Sequence, residues 1–292
     1  MNRIVPHLWY DKEAREAAEF YVSIFPDSMI TGGAVLEDTP SGTAETVTVS
    51  LTGQDFMLLS AGPYFQFNPS ISLRVDCSKA DEVDTLWGRL SDGGSILMEL
   101  DTYPFSARYG WCADKYGLSW QIMQVEGEIK QKITPTLLFV GEQYGRAEEA
   151  ISFYSEVFKD SKPGDITRYG EGLEFDKPGT VMYASFSLEG MDFAAMDSGY
   201  AHEFQFNEAI SFIVNCDTQE EIDYYWDRLS FVPEAEQCGW LKDKFGVSWQ
   251  IVPASMDEMM KTGDSEKIRR VTEAFLKMKK FDIALLEKAF EG

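Results

Sequence analysis

Histidine is scarce: His7 and His202 are the only two in 292 residues. The four cysteines (Cys77, Cys112, Cys216 and Cys238) form no C-x-x-C pair. Together these shortages argue against a structural zinc site or a disulfide framework. Cys77 and Cys216 read instead as buried small residues in a reducing compartment. Long apolar runs are missing too, and the opening MNRIVPHLWYDKEAREA has no signal-like apolar stretch. The expectation is a cytoplasmic protein with no membrane partner. Basic residues are outnumbered, 26 Lys and Arg against 49 Asp and Glu, for a net charge of −23. Such a chain repels phosphate backbones, so no nucleic-acid partner is expected. No P-loop or G-x-S-x-G elbow is present, and Gly32-Gly33 and Gly93-Gly94 are isolated pairs.

What the chain does have is a sentence said twice. Residues 110–122 read GWCADKYGLSWQI and residues 239–251 read GWLKDKFGVSWQI, with nine of thirteen positions identical. Two tryptophans in register mark a tandem duplication. The repeat extends outward. Ile4 to Tyr10 matches Ile133 to Phe139 as short alternating strands. Each runs into a helix, Glu13 to Phe25 and Arg146 to Phe158, with apolar residues such as Ala17, Phe20, Tyr21 and Ile24 at 3–4 spacing. Hairpins follow around Gly53 and Gly190. A smaller cycle then begins within each half: strands Ile71 to Cys77 and Ile210 to Cys216, then helices Ala80 to Leu90 and Gln219 to Leu229.

The predicted organisation is therefore α+β, with four β-α-β-β-β modules in two tandem domains, 1–127 and 128–253. One length difference stands out. From Ser91 to Trp111 the first half spends 21 residues, whereas from Ser230 to Trp240 the second spends 11. The longer arm, with Tyr103, Phe105 and Tyr109, is placed to overhang a cleft.

Residues 254–292 form a separate helical tail. Ser255 to Glu258 has the S-x-x-E form of a capping box, and Asp264 and Asp282 are candidate caps for two further helices. Ile268, Val271, Phe275 and Met278 make an amphipathic stripe. Residues 261–292 hold eight Lys and Arg against six Asp and Glu. This basic tail is expected to dock on an acidic body, its own or that of a second copy in a homodimer.

The repeated β-α-β-β-β order resembles the vicinal oxygen chelate superfamily, which includes glyoxalase I, extradiol dioxygenases and bleomycin-resistance proteins. P-x-L-x-[YF], A-x-E-A-x-x-F-Y, F-x-D-S and G-W-x-x-D-K-[YF]-G-x-S-W-Q-I, each present twice over residues 3–253, are similar to the PhnB-like group, often called demethylubiquinone methyltransferase-like. The tail sequence M-K-K-x-D-I-A-x-L-E-K-A-F is similar as well. The resemblance implies curved mixed sheets around clefts. In the superfamily's enzymes, His or Glu from the first, fifth and last strands holds a divalent metal. Strand parity puts Leu8 and Tyr10 toward the helix and His7 and Trp9 toward the cleft. Ser70, Ser72 and Arg74 share the cleft side of the fifth strand, and Gln121 that of the last. Within each half, the metal positions become His7, Ser70 or Ser72, and Gln121 in the first, and Thr136, Ala209 or Ser211, and Gln250 in the second. His7 is the one strong ligand type among them.

The leading expectation is a small-molecule-binding protein that needs no metal or other cofactor. Its cleft candidates are His7, Trp9, Ser72, Arg74, Gln121, Thr136, Ser211 and Gln250. Gln121 and Gln250 could orient a polar ligand or tie strands together. Two alternatives stay open: a metal-dependent glyoxalase-type lyase, isomerase or dioxygenase with His7 as ligand or base, and a structural or interaction protein working through the tail. Methyl transfer finds no support, because no Gly-rich loop after a strand offers an S-adenosylmethionine cradle.

Overall fold

The alternating strands and amphipathic helices assemble in the predicted order in a computed structural model that describes residues 2–292. The first module is β1 (Ile4–Tyr10), α1 (Ala14–Ile24), β2 (Met29–Thr39), β3 (Gly42–Leu51) and β4 (Gln54–Ser60). The second is β5 (Ile71–Cys77), α2 (Ala80–Leu90), β6 (Ser95–Tyr103), β7 (Ser106–Ala113) and β8 (Ser119–Gln124). The third is β9 (Ile133–Phe139), α3 (Ala147–Val157), β10 (Ser161–Arg168), β11 (Val181–Leu188) and β12 (Met191–Asp197). The fourth has β13 (Ile210–Cys216), α4 (Gln219–Leu229), β14 (Trp240–Lys242) and β15 (Ser248–Pro253). It is one strand short of the expected pattern, since ten fewer residues are available for the β6–β7 hairpin. The tail forms α5 (Ser255–Met260), α6 (Ser265–Phe275) and α7 (Ile283–Glu291).

The strands form two mixed sheets. One runs β14-β15-β13-β1-β4-β3-β2, the other β10-β11-β12-β9-β5-β8-β7-β6. Two antiparallel seams join modules within them: β1 with β13, Val5 opposite Ile213 and His7 opposite Ser211, and β5 with β9, Ser72 opposite Thr136. The first module thus pairs with the fourth, and the second with the third. The chain packs as two units, Met1–Gln66 with Asn207–Gly292 (unit 1) and Phe67–Phe206 (unit 2). These packing units cut across the sequence repeats 1–127 and 128–253. The tail belongs to unit 1.

Burial follows the pattern of each element. In β4, Phe56, Leu58 and Ser60 are buried and alternate with more open residues. The buried side of α1 is Ala14, Ala17, Ala18 and Tyr21; the three alanines let the helix sit close to the sheet, and Tyr21 is one of the largest fully buried side chains. Cys77 and Cys216 are fully buried. Asp264 caps α6 by accepting from the Glu266 and Lys267 N–H groups, and Asp282 caps α7 by accepting from that of Leu285. The Ser255 capping box does not form. Ala254, already in helical conformation, precedes α5, and Ser255 lies inside the helix.

The doubled motif is a buried carboxylate turn. Asp114 Oδ1 accepts from the N–H groups of Tyr116 and Leu118, and Oδ2 from Trp120 Nε1 at 2.8 Å. Asp243 does the same for Phe245, Val247 and Trp249. Gly117 (φ 88°) and Gly246 (φ 90°) supply the left-handed residue each turn needs. Trp120 and Trp249 are among the largest fully buried side chains. The constraint that keeps D-K-x-G-x-S-W twice is therefore structural. Asp114→Ala or Asp243→Ala leaves three donors without their acceptor. Each substitution is expected to cost about 3 kcal/mol or more in urea unfolding. A loss below about 1 kcal/mol in both would remove the carboxylate turns from this role.

Candidate functional site

Each seam places an equivalent set of polar side chains at the centre of its sheet. In unit 1, His7 on β1 faces Ser211 on β13, and Gln250 on β15 lies opposite Ile213. Gln250 Nε2 donates to Ser211 Oγ at 2.9 Å. In unit 2, Thr136 on β9 faces Ser72 on β5, and Gln121 Nε2 donates to Ser72 Oγ at 2.6 Å. This corrects the grouping by sequence halves. His7 shares its site with Ser211 and Gln250, not with Ser72 and Gln121, because the antiparallel seams exchange the modules. On β1, Val5 and His7 line the cleft, while Leu8 and Tyr10 are buried in the core.

The two clefts are filled differently. In unit 2, the Arg74 guanidinium pairs with Asp76 at 2.8 and 2.9 Å, donates to the Tyr183 hydroxyl and lies over the Tyr183 ring. The remaining cleft, about 370 Å³, is lined by these groups together with charged residues such as Glu128, Lys130 and Lys162. The long arm closes the other end. Tyr103 and Phe105 pack on Tyr109, whose hydroxyl donates to Gln121 Oε1 at 3.0 Å. Both ends of the Gln121 carboxamide are thereby occupied. Thr136 is fully buried on the same seam.

In unit 1 the same strand positions surround a cavity of about 580 Å³. The repeat puts Ile213 where unit 2 has Arg74, Asn215 where it has Asp76, and Thr46 where it has Tyr183, and all three line the cavity. Cys238 stands in the place of Tyr109 and offers no hydroxyl to Gln250. The tail takes over from the missing arm. The chain turns at Cys238 (φ 52°) and Gly239 (φ 83°), whose N–H groups donate to the carbonyls of Met278 and Lys279 at 2.9 and 2.7 Å. A Cβ on Gly239 would stand 2.6 Å from the Phe281 ring, so the tail requires glycine there. Met256 and Met260 of α5 and Phe275 of α6 complete the wall. The basic tail thus docks on the body of its own chain.

Tryptophan geometry diverges in parallel. In unit 2, Trp111 Nε1 donates to Ser119 Oγ at 2.8 Å. In unit 1 the counterpart serine, Ser248, has a buried hydroxyl with no partner, and Trp240 instead meets His7 edge-on at 5.3 Å and lines the cavity. Trp9 is not part of the lining. Its Nε1 donates to the Gly62 carbonyl, and its ring packs against Phe65 and Trp240. Trp240, Cys238 and the tail residues were not singled out from sequence as cleft residues. The shortened 230–240 segment was the signal that something else must fill that place.

His7 is 2% exposed, and its Nδ1 is sealed without a hydrogen-bond partner. Burial lowers its pKa to about 3, so the ring is neutral in ordinary buffers. As a metal set, His7, Ser211 and Gln250 offer one imidazole, one hydroxyl and one carboxamide. Among the described residues no group of three or more His, Cys, Asp or Glu could hold a metal ion. These side chains do not fit a divalent metal, which wants several imidazole or carboxylate donors.

The depressed pKa has a consequence for stability. The unfolded chain takes up a proton on His7 as pH falls below about 6.5, while the folded chain does not until about 3. Folding stability is expected to decline across this window by up to about 1.4 kcal/mol per pH unit from this group alone. Urea unfolding of wild type and His7→Phe between pH 7 and 4 isolates it: the wild type should lose more stability than the variant. Equal slopes would mean that His7 is not buried as a neutral ring.

The fold and motifs agree with known proteins. Glyoxalase I from Zea mays is similar over 87% of this chain and 95% of its own, with a TM-score of 0.54 at 10% identity. A structure described as a putative 3-demethylubiquinone-9 3-methyltransferase, PhnB protein, from Bacillus cereus is 36% identical over 41% of this chain and 98% of its own, with a TM-score of 0.39. A protein from Staphylococcus aureus is 29% identical over 43% of this chain and 98% of its own, with a TM-score of 0.19. No curated protein matches the chain. A family model described as 3-demethylubiquinone-9 3-methyltransferase matches residues 2–123 and again 131–252. The chain, with its glyoxalase-like fold, belongs to this family and carries two copies of its domain.

Proposed function

We propose that this protein binds a small, largely apolar molecule in the cavity of unit 1, without a metal ion. The observation that carries the reading is the contrast between two equivalent clefts. In one, Arg74, Asp76 and Tyr183 line a cleft of about 370 Å³ together with other charged residues; in the other, their counterparts border about 580 Å³ walled mostly by apolar side chains. A volume of that size suits a small-molecule ligand. Apolar walls with a few fixed polar groups are the usual composition of such sites.

Metal-assisted chemistry of the glyoxalase type lacks support in the donor set around His7. The family's name denotes methyl transfer, yet both sheets are mixed, and among the described residues no Gly-rich loop joins a parallel strand to a helix as a nucleotide cradle. The polar groups that remain, His7 and Gln250, are suited to orienting a bound molecule.

Nile red, a neutral apolar dye, provides the test. Its fluorescence is expected to rise on binding and saturate near one dye per chain, with no change on adding EDTA. Ala34→Trp places an indole in the cavity from β2 and should abolish the signal while the protein still melts cooperatively. Undiminished binding in Ala34→Trp would move the site elsewhere, and a requirement for added nickel, iron or zinc would contradict the metal-free reading.

A further inference from the structure

The polar end of the unit 1 cavity specifies more than size. His7 and Gln250 both line it, and Trp240 joins them, touching the His7 ring and lying opposite Gln250 in the β14–β15 pair. A neutral imidazole carries one N–H donor and one lone pair. Nδ1 is sealed and unpartnered, and a lone pair is the less costly group to leave in such a place. The proton then sits on Nε2, making the ring a donor toward the cavity. Gln250 is complementary. Its Nε2 is spent on Ser211, which leaves the carboxamide oxygen as an acceptor. In unit 2 that acceptor is met by the Tyr109 hydroxyl, and in unit 1 Cys238 holds that place without one.

A donor and an acceptor side by side match one group that accepts and donates at once. We infer that the cavity takes an uncharged, mainly apolar molecule bearing a hydroxyl, held between the His7 imidazole and the Gln250 carboxamide as the Tyr109 hydroxyl is held by Gln121 in unit 2. This rests on the binding reading above and narrows it to a ligand class. Charge in the lining supports the restriction to neutral ligands. Lys261 is paired with Asp257 at 2.9 Å, and the remaining charged group is another carboxylate, Asp55. A carboxylate or phosphate ligand would find no unpaired cation in this lining and would meet two anions.

Three probes of similar shape separate the possibilities: naphthalene, 2-naphthol and 2-naphthoate, each competed against bound Nile red. In the wild type, 2-naphthol is expected to displace the dye at about tenfold lower concentration than naphthalene, in line with one buried hydrogen-bonded hydroxyl. 2-Naphthoate should be the weakest of the three. In His7→Phe and in Gln250→Met the ratio between naphthalene and 2-naphthol should fall toward one, read within each variant so that overall affinity does not matter. Equal displacement by naphthalene and 2-naphthol in the wild type overturns the inference, and so does 2-naphthoate as the strongest competitor. If Nile red binds but none of the three displaces it, the hydroxyl inference fails and the binding reading stands. If Nile red itself does not bind, the binding reading fails and takes the inference with it.

Discussion

The antiparallel seam between β1 and β13 is the constraint on which the rest depends. It sets Val5 against Ile213 and His7 against Ser211, and so decides which side chains can meet. Strand register has a period of two, so a one-residue slip would turn His7 into the core and Leu8 into the cleft. The matching seam between β5 and β9 does the same for Ser72 and Thr136. Because these seams join the first module to the fourth and the second to the third, each cleft is built from both sequence repeats. Duplicated modules can therefore diverge in pairs, and the differences accumulate cleft by cleft rather than half by half.

That divergence has a physical direction. Both units keep the buried aspartate that ties the last hairpin to a core tryptophan, since losing it strands three donors. Both keep the Gln–Ser bond across neighbouring strands. Around this common frame, unit 2 fills its centre with an Arg–Asp pair, a tyrosine and an aromatic arm. Unit 1 has the uncharged residues Ile213, Asn215, Thr46 and Cys238 at the matching positions, and its tail closes the space the absent arm would have covered. Asp264 and Asp282 cap the tail helices, and backbone bonds from Cys238 and Gly239 fix the tail to the hairpin. The tail's share of the cavity wall includes Met256, Met260 and Phe275, and methionine side chains adapt to what they pack against.

Much of this was legible in the sequence. The alternating run of β1, the Gly53 hairpin that leads into β4 and the 3–4 spacing in α1 mark strand and helix, and parity put His7 and Gln250 on cleft faces. The ends of α2 and α4 coincide with those read from the repeat. What local pattern could not carry was the partner of each strand. Ser72 and Ser211 occupy the same place in their strands, each after an isoleucine, and nothing within a seven-residue strand says which of them His7 will face. That choice is made by pairing over two hundred residues of chain. The Ser255 capping box failed for a related reason: Ala254, whose N–H donates to the Cys216 carbonyl at 2.8 Å, already has helical backbone angles and takes the cap position, so Ser255 is the first residue of the helix. The role of Trp240 was hidden too, because it and its counterpart Trp111 both follow a glycine in the repeated motif, yet Trp111 bonds Ser119 while Trp240 meets the His7 ring.

Unit 1 keeps the larger, mostly apolar cavity, and unit 2 a smaller cleft lined by charged groups. Crystals soaked in 6-bromo-2-naphthol and measured at the bromine absorption edge test this contrast directly. One strong anomalous peak per chain is expected, inside the cavity bounded by β1, β4 and α5, with the hydroxyl toward His7 and Gln250. A peak of equal or greater height beside Arg74 and Tyr183, or no peak in the unit 1 cavity, would contradict it.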